Sequence, residues 1–464
     1  MKQGKIYLIG AGPGDPGLLT LKGCRLICQA DVILYDHLVS PEILSLAKPS
    51  AEKISVGKSA GKHTLPQNQI TALLLEKAKT NSVVVRLKGG DPFLFGRGGE
   101  EAQACVNAAI DFEVVSGVTS ALAAPSYAGI PPTHRDFASS VAIVTGHRQD
   151  EKQIDIPKAD TVIFLMGASN IENIVETLIK NGWPQGTKIA AIENGTCYNQ
   201  RVTVGSLKDF PATVKKIGLQ PPAVFIVGKV VELGDTLSWF DKKPNVLVLG
   251  NFPQKYSYLG NIVHRRIIDC VELDNYSHID AVLKEKLASF DWLVFTSASA
   301  VKHFFARLYA IARDARALAS IKIAAIGKTT AEKLREFGIS TDMVPAAESS
   351  AGLLAEFAKL NIANKKILLP QSQIASPELA DGLIKLHAAV EQMPVYKTID
   401  IDPGDIDFAY IDQILFTSGS TVRAFIKRFG KVPEHIKSYC LGQPTLNETK
   451  KFNIQAEIVP APPK

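Results

Sequence analysis

Short apolar runs alternate along this chain with longer segments of mixed polarity. Ile6–Ile9, Val83–Val85, Val141–Val144, Thr161–Met166, Pro222–Gly228 and Val246–Leu249 each sit between turn-forming residues and read as buried strands. Strands separated by helix-length segments predict an α/β architecture. Two of the runs end in glycine-rich turns. Ile9-Gly10-Ala11-Gly12-Pro13-Gly14-Asp15-Pro16-Gly17 precedes a helix expected from about Leu18, and Lys88-Gly89-Gly90-Asp91-Pro92 follows the second run. Glycine carries no Cβ, so such turns let a ligand press on the backbone, and a helix start beyond a strand aims N–H groups into the cleft. The spacing Gly10, Gly12, Gly14, broken by two prolines, departs from the Gly-x-Gly-x-x-Gly dinucleotide pattern, which argues against a dehydrogenase.

A polar stretch, Asp241-Lys242-Lys243-Pro244, separates two halves. The expected domains are 1–240, with lobes of about 4–115 and 120–238, and 244–464. The second half contains an internal repeat. Phe295-Thr296-Ser297-Ala298-Ser299-Ala300-Val301 matches Phe416-Thr417-Ser418-Gly419-Ser420-Thr421-Val422, and Ile326-Gly327-Lys328-Thr329-Thr330 matches Leu441-Gly442-Gln443-Pro444-Thr445. The unit reads strand, Thr-Ser turn, helix, strand, Gly-x-x-Thr turn, helix. The hydroxyls suit helix caps, whose oxygens take the first free N–H groups, and equally suit ligand carboxylates.

The chain has 464 residues, enough for several domains, with 46% hydrophobic and 21% charged residues, as in ordinary globular enzymes. A net charge of +6 spread along the chain gives no reason to expect nucleic acid and suits acidic small substrates. No apolar run approaches the ~18 residues of a membrane span. Six cysteines, none in a C-x-x-C pair or at zinc spacing to histidine, fit free thiols in a cytoplasmic protein and predict no metal. His134-Arg135-Asp136 mimics a kinase triplet, but Val141 stands where that pattern needs asparagine.

The two glycine turns, with Asp31–Asp36, Leu38–Leu44, Gly57-Lys58, Gly117-Val118-Thr119-Ser120-Ala121, Gly129-Ile130-Pro131 and Thr133–Asp136, resemble the uroporphyrinogen-III C-methyltransferases over about residues 4–238. The resemblance implies a two-lobed tetrapyrrole methylase that uses S-adenosylmethionine (SAM) and pairs as a homodimer. It implies a SAM pocket of Pro13, Gly89, Gly90, Asp91, Leu94, Thr119, Ser120, Met166 and Gly195, with Asp36 as proton acceptor and Lys58 as proton donor. Read as residues alone, Asp36 also suits a helix cap or a turn, Lys58 a substrate carboxylate, and Asp91 an Asx turn before Pro92. Lys62, His63, Arg97 and Arg135 are further candidates for substrate carboxylates. Ser116 and Pro132 stand where the family commonly has proline and leucine.

The second half resembles uroporphyrinogen-III synthase over about 244–456, through the repeated turns, Ile367-Leu368-Leu369-Pro370 and Pro394-Val395-Tyr396-Lys397-Thr398. The family's Thr-Arg-Pro turn after the first strand is replaced by Gly250-Asn251-Phe252-Pro253. The resemblance implies two lobes, about 244–275 with 398–464 and about 276–397. It makes Tyr396 the acid or hydrogen-bond donor, with Thr296, Ser297, Thr417, Ser418 and Thr445 meeting substrate carboxylates. Tyr396 also suits packing at the hinge.

The expected protein is bifunctional. It cyclises hydroxymethylbilane to uroporphyrinogen III with inversion of ring D, then methylates that product twice with SAM to give precorrin-2, toward sirohaem or cobalamin. The alternative is an active methylase carrying a tetrapyrrole-binding domain without synthase activity. A methylase of the same fold acting on a later corrin intermediate or on ribosomal RNA is a further rival, disfavoured by the second half and by the Asp36 and Lys58 blocks.

Overall fold

A computed structural model describes residues 4–57, 65–147, 154–250 and 253–462. Among the described residues, twenty strands form four five-stranded sheets. The first contains β1 (Lys5–Gly10), β2 (Val32–Tyr35), β3 (Glu52–Ser55), β4 (Val83–Lys88) and β5 (Phe112–Val115), all parallel, in the order β3-β2-β4-β1-β5. Both faces are buried, as helical crossovers require. Ile6, Leu8, Val32, Leu34 and Val84 face one core. Ile9, Ile33, Val85 and Leu87 face the other. The chain leaves β1 across β4 toward β2 and leaves β4 across β1 toward β5. These connections run in opposite directions, so a crevice opens between the carboxyl ends of β1 and β4, the place where open α/β sheets take ligands.

The second sheet joins β6 (Val141–Thr145), β7 (Thr161–Leu165), β8 (Lys188–Glu193), β9 (Arg201–Ser206) and β10 (Ala223–Val227) in the order β6-β7-β10-β8-β9. Only β6 and β7 are parallel. The run read as Thr161–Met166 stops at Leu165, because Met166 adopts φ +58 and turns out of the sheet.

The second half builds two sheets. The third is parallel throughout, with β11 (Asn245–Val248), β12 (Asn261–His264), β18 (Gln413–Phe416), β19 (Lys437–Cys440) and β20 (Ala456–Ile458) in the order β12-β11-β18-β19-β20. The fourth takes β13 (Ile268–Val271), β14 (Trp292–Phe295), β15 (Lys322–Ala325), β16 (Lys366–Ser372) and β17 (Ala389–Asp400) in the order β13-β17-β16-β14-β15, with β13 antiparallel to β17. Since β12 and β13 lie in different sheets, the chain crosses at Arg265–Ile267 and not near residue 275.

The chain divides into two compact units. One comprises Met1–Arg265, Asp405–Thr417 and Val432–Lys464, and holds the first three sheets. The other comprises Arg266–Gly404 and Ser418–Lys431, and holds the fourth. The sequence repeat is a structural repeat: β14, helix Ala298–Ala310, β15 and helix Lys328–Arg335 correspond to β18, helix Gly419–Phe429, β19 and helix Gln443–Lys451.

Candidate active site

The two glycine turns meet at the crevice of the first sheet. Gly90 N donates to Gly12 O at 2.7 Å and Gly12 N to Gly90 O at 3.2 Å. Gly12 and Gly90 have φ of +79° and +66°, which an L side chain disfavours. A third strand end joins them: a Cβ on Gly117 would stand 2.2 Å from Gly90 O and 2.7 Å from Gly10 Cα. Asp91 fastens the junction, accepting from Phe93 N at 2.8 Å and from Gly117 N at 3.0 Å. It thus makes the Asx turn and bridges two loops, and each oxygen keeps a lone pair for a ligand amino group.

A cavity of about 1760 Å³ runs past these turns. Pro13, Gly89, Gly90, Asp91, Leu94, Thr119, Ser120, Met166 and Gly195 all line it. Thr119 caps helix Ser120–Tyr127, accepting from Ala121 N at 3.3 Å. Gly195 lies between Asn194 and Thr196, both at positive φ, and a Cβ there would press on Ala124 Cβ at 2.4 Å. Asp15, in the first turn, accepts the Tyr127 hydroxyl at 2.6 Å, and its N–H donates to Thr196 Oγ1 at 3.1 Å. Burial, and then the Asp15 carboxylate, push the Tyr127 pKa upward.

Asp36 follows β2. Its N–H donates to Leu87 O at 3.1 Å and its carbonyl accepts from Val39 N at 3.1 Å, so its backbone is fixed at the mouth of the sheet. The next residues, His37 and Leu38, line the cavity. Its Oδ1 accepts from Arg86 Nη2 at 2.5 Å. Lys58, Lys62 and His63 lie outside the described residues. Arg97 is exposed and pairs with Glu100 through Nε at 3.0 Å, and Arg135 is exposed as well.

In the second half, Tyr396 on β17 is nearly buried, and its hydroxyl lies 3.3 Å from Ser297 Oγ. Ser297 caps helix Ala298–Ala310 by accepting from Ala300 N at 3.0 Å. Its own proton can therefore point to the phenol oxygen, leaving the phenol proton to donate elsewhere. Burial pushes the Tyr396 pKa upward, against the Ser297 hydrogen bond. The His303 ring stacks on Tyr396 with centroids 5.2 Å apart, and burial pulls its pKa below the usual histidine value. Thr296 precedes Ser297 in the same turn. Ser418 caps helix Gly419–Phe429 in a reciprocal capping box with Thr421. Gly250 packs on Thr417 so closely that a Cβ would meet Thr417 Oγ1 at 2.0 Å. Thr445 and its repeat partner Thr330 are 5% and 4% exposed in the first turns of their helices, more core than surface.

Residues 5–211 match the tetrapyrrole (corrin/porphyrin) methylases, and residues 259–464 match uroporphyrinogen-III synthase HemD. The porphyrin biosynthesis protein HemD of Ruminiclostridium josui is 37% identical over 98% of this chain and 95% of its own length. This chain is a tetrapyrrole methylase joined to a uroporphyrinogen-III synthase. The uroporphyrinogen-III C-methyltransferase of Methanocaldococcus jannaschii is 50% identical over 50% of this chain and 99% of its own length. The siroheme synthase of Pseudoalteromonas atlantica is 49% identical over 51% of this chain, which spans only 53% of that protein. A solved uroporphyrin-III-C-methyltransferase from Thermus thermophilus is 43% identical over 51% of this chain and 98% of that one, with a TM-score of 0.45. Both halves belong to tetrapyrrole biosynthesis.

The methylase half suits SAM on the chemistry of its lining. Bare glycine backbone, the start of helix Ser120–Tyr127, and the apolar Leu94 and Met166 surround one cavity. Among the described residues no cluster of His, Cys, Asp and Glu is arranged to hold a metal. No helix among them is long and apolar enough to cross a membrane.

Sequence reading missed the partners of the candidate residues. Arg86 and Lys88 stand in an apolar strand, and their partner Glu101 lies on helix Gly98–Asn107. Two cations in a run otherwise made of Val and Leu were the available signal. For His303 there was none, because its neighbour Tyr396 is 93 positions away in the chain.

Proposed function

We propose that the synthase half closes hydroxymethylbilane to uroporphyrinogen III, inverting ring D, and that the methylase half adds two methyl groups to give precorrin-2. What carries the reading is the joining in one chain of two families whose chemistry is consecutive. When bound, SAM supplies an electrophilic methyl group. The methylase residues align an electron-rich pyrrole carbon with it, and alignment is the larger part of such catalysis. The C–C bond would form from the pyrrole π electrons as the methyl–sulfur bond breaks, its electron pair staying on sulfur to give S-adenosylhomocysteine, and the ring would be left cationic. Asp36 then takes a proton from the neighbouring bridging carbon, and the released C–H pair neutralises the ring. Lys58 is the proposed proton donor or substrate-carboxylate partner. Pro13, Gly89, Gly90, Asp91, Leu94, Thr119, Ser120, Met166 and Gly195 hold the cofactor.

In the synthase half, Tyr396 donates toward the departing hydroxyl, which leaves as water. The turns Thr296-Ser297 and Thr417-Ser418 take substrate carboxylates, with Thr445 supporting its own turn from within. The two lobes of this half, the homodimer through the methylase half, and a cytoplasmic site of action leading to sirohaem or cobalamin belong to the same proposal. Fusion raises the local concentration of the intermediate.

The packing of Gly250 against Thr417, in place of the family's arginine turn, favours one second reading, a synthase half that only binds tetrapyrrole. Anaerobic incubation with fresh hydroxymethylbilane, with and without SAM, separates the two readings by mass spectrometry and isomer-resolving chromatography. Type-III uroporphyrinogen that gains two methyl groups with SAM supports the full proposal. Type-I isomer alone, formed spontaneously, overturns the synthase assignment.

A further inference from the structure

Four charges meet beneath the methylase crevice. Arg86 and Lys88 occupy alternate positions of β4, so both side chains emerge on the face that carries Val84. They are 2% and 3% exposed, and Glu101, which faces them from helix Gly98–Asn107, is fully buried. Arg86 Nε donates to Glu101 Oε1 at 3.0 Å, Lys88 Nζ lies 3.2 Å from both Glu101 oxygens, and Gln67 Nε2 donates to Oε1 at 2.9 Å. Burial, and then the neighbouring guanidinium, lower the Lys88 pKa.

Taking an ion out of water costs several kcal/mol, and one anion cannot balance two cations. The missing negative charge is Asp36. Arg86 Nη1 is held by Leu87 O at 3.2 Å and Leu34 O at 3.5 Å, which leaves Nη2 aimed at Asp36 Oδ1. Among the described residues only this oxygen of Asp36 is engaged, so Oδ2 is the atom left to take a proton.

We infer that Arg86, fixed by Glu101, is the positioning residue for Asp36. The guanidinium holds one carboxylate oxygen, sets the side-chain rotamer, and turns the other oxygen toward the reacting carbon. Glu101 offsets one of the two buried cations and leaves the other to Asp36, and neither Glu101 nor Lys88 touches substrate. This rests on the reading of Asp36 as proton acceptor.

The test measures kcat and KM for methyl transfer to uroporphyrinogen III by the full chain, in wild type, Asp36→Asn, Arg86→Met, Arg86→Lys, Glu101→Gln and the Asp36→Asn/Arg86→Met double variant. S-adenosylhomocysteine binding, measured by calorimetry, reports whether each cofactor site is intact. Arg86→Met is expected to lower kcat on the order of 10²-fold, the scale of a misplaced reacting group. Its S-adenosylhomocysteine affinity is expected to stay within about twofold of wild type. Arg86→Lys recovers part of the loss. In the Asp36→Asn background Arg86→Met costs nothing further, because the residue it positions is gone. If Arg86→Met abolishes S-adenosylhomocysteine binding, Glu101→Gln carries the same cycle against Asp36→Asn. A wild-type kcat in Arg86→Met, or an equal loss with and without Asp36, overturns the assignment alone. A wild type that transfers no methyl group overturns the methylase reading and this assignment with it.

Discussion

Gly12 and Gly90 exchange backbone hydrogen bonds at 2.7 and 3.2 Å, so the turns after β1 and β4 form one structure. Gly117 closes it from the end of β5. A Cβ on Gly117 would sit against backbone, which no rotamer change relieves. Gly117→Ala is expected to destabilise the methylase half by about 1–3 kcal/mol and to weaken S-adenosylhomocysteine binding at least about tenfold. Thermal denaturation and calorimetry check this. Unchanged affinity would remove these turns from the cofactor site.

Tyr396→Phe keeps the ring against His303 and deletes only the hydroxyl that meets Ser297. Loss of a positioned proton donor lowers a rate by about 10²–10⁴-fold. Formation of type-III isomer is expected to fall within that range, leaving spontaneous type-I product, while thermal stability changes little. Full activity would make Tyr396 a packing residue.

Ser418 and Thr421 satisfy each other's backbone N–H groups at the start of helix Gly419–Phe429. Ser418→Ala removes the cap and is expected to cost about 1 kcal/mol. Denaturant titration followed by circular dichroism reads this directly. A loss of synthase activity far larger than the loss of stability would place Ser418 on the substrate.

Glu113 on β5 pairs with Lys22 and with Lys5, the latter at 2.6 Å, and these lysines hold its pKa down to about 2. A carboxylate whose folded pKa is depressed stabilises the fold above its unfolded pKa of about 4.3, and that stabilisation is lost as pH falls toward the folded value. Both partners are exposed to solvent, so screening keeps the contribution of the pair small. Glu113→Gln is expected to melt slightly below wild type at pH 7, with the gap narrowing below about pH 4.3. A gap that stays constant as pH falls would refute the pairing.

Strands and turns were legible because each is written locally. β1, β4, β6, β10 and β11 coincide with apolar runs, and the repeated Thr-Ser and Gly-x-x-Thr turns begin the helices they suggest. Asp91 could be read as the Asx turn it makes, but its bridge to Gly117 spans 26 positions of chain and leaves no local mark. Met166 ends its apolar run yet leaves the strand, since hydropathy does not report the sign of φ. The charge cluster was the least legible feature. Nothing local to Arg86 and Lys88 names their partner, because Glu101 reaches the same face only through helix Gly98–Asn107. The crossing between the last two sheets, at Arg265–Ile267, has no local mark, because only the pairing of β13 with β17 assigns that strand to its sheet.

That pairing has a consequence of its own. Ile268 stands opposite Asp400, and Ile401 N donates to Ile267 O at 3.0 Å, so the segment between them begins and ends at one spot. An excursion of this kind adds almost nothing to the span the rest of the chain must bridge, and loop-closure entropy grows only slowly with the length enclosed. Residues 268–400 are therefore an excursion closed at its own base, and changes of length within it are expected to cost the flanking chain little entropy.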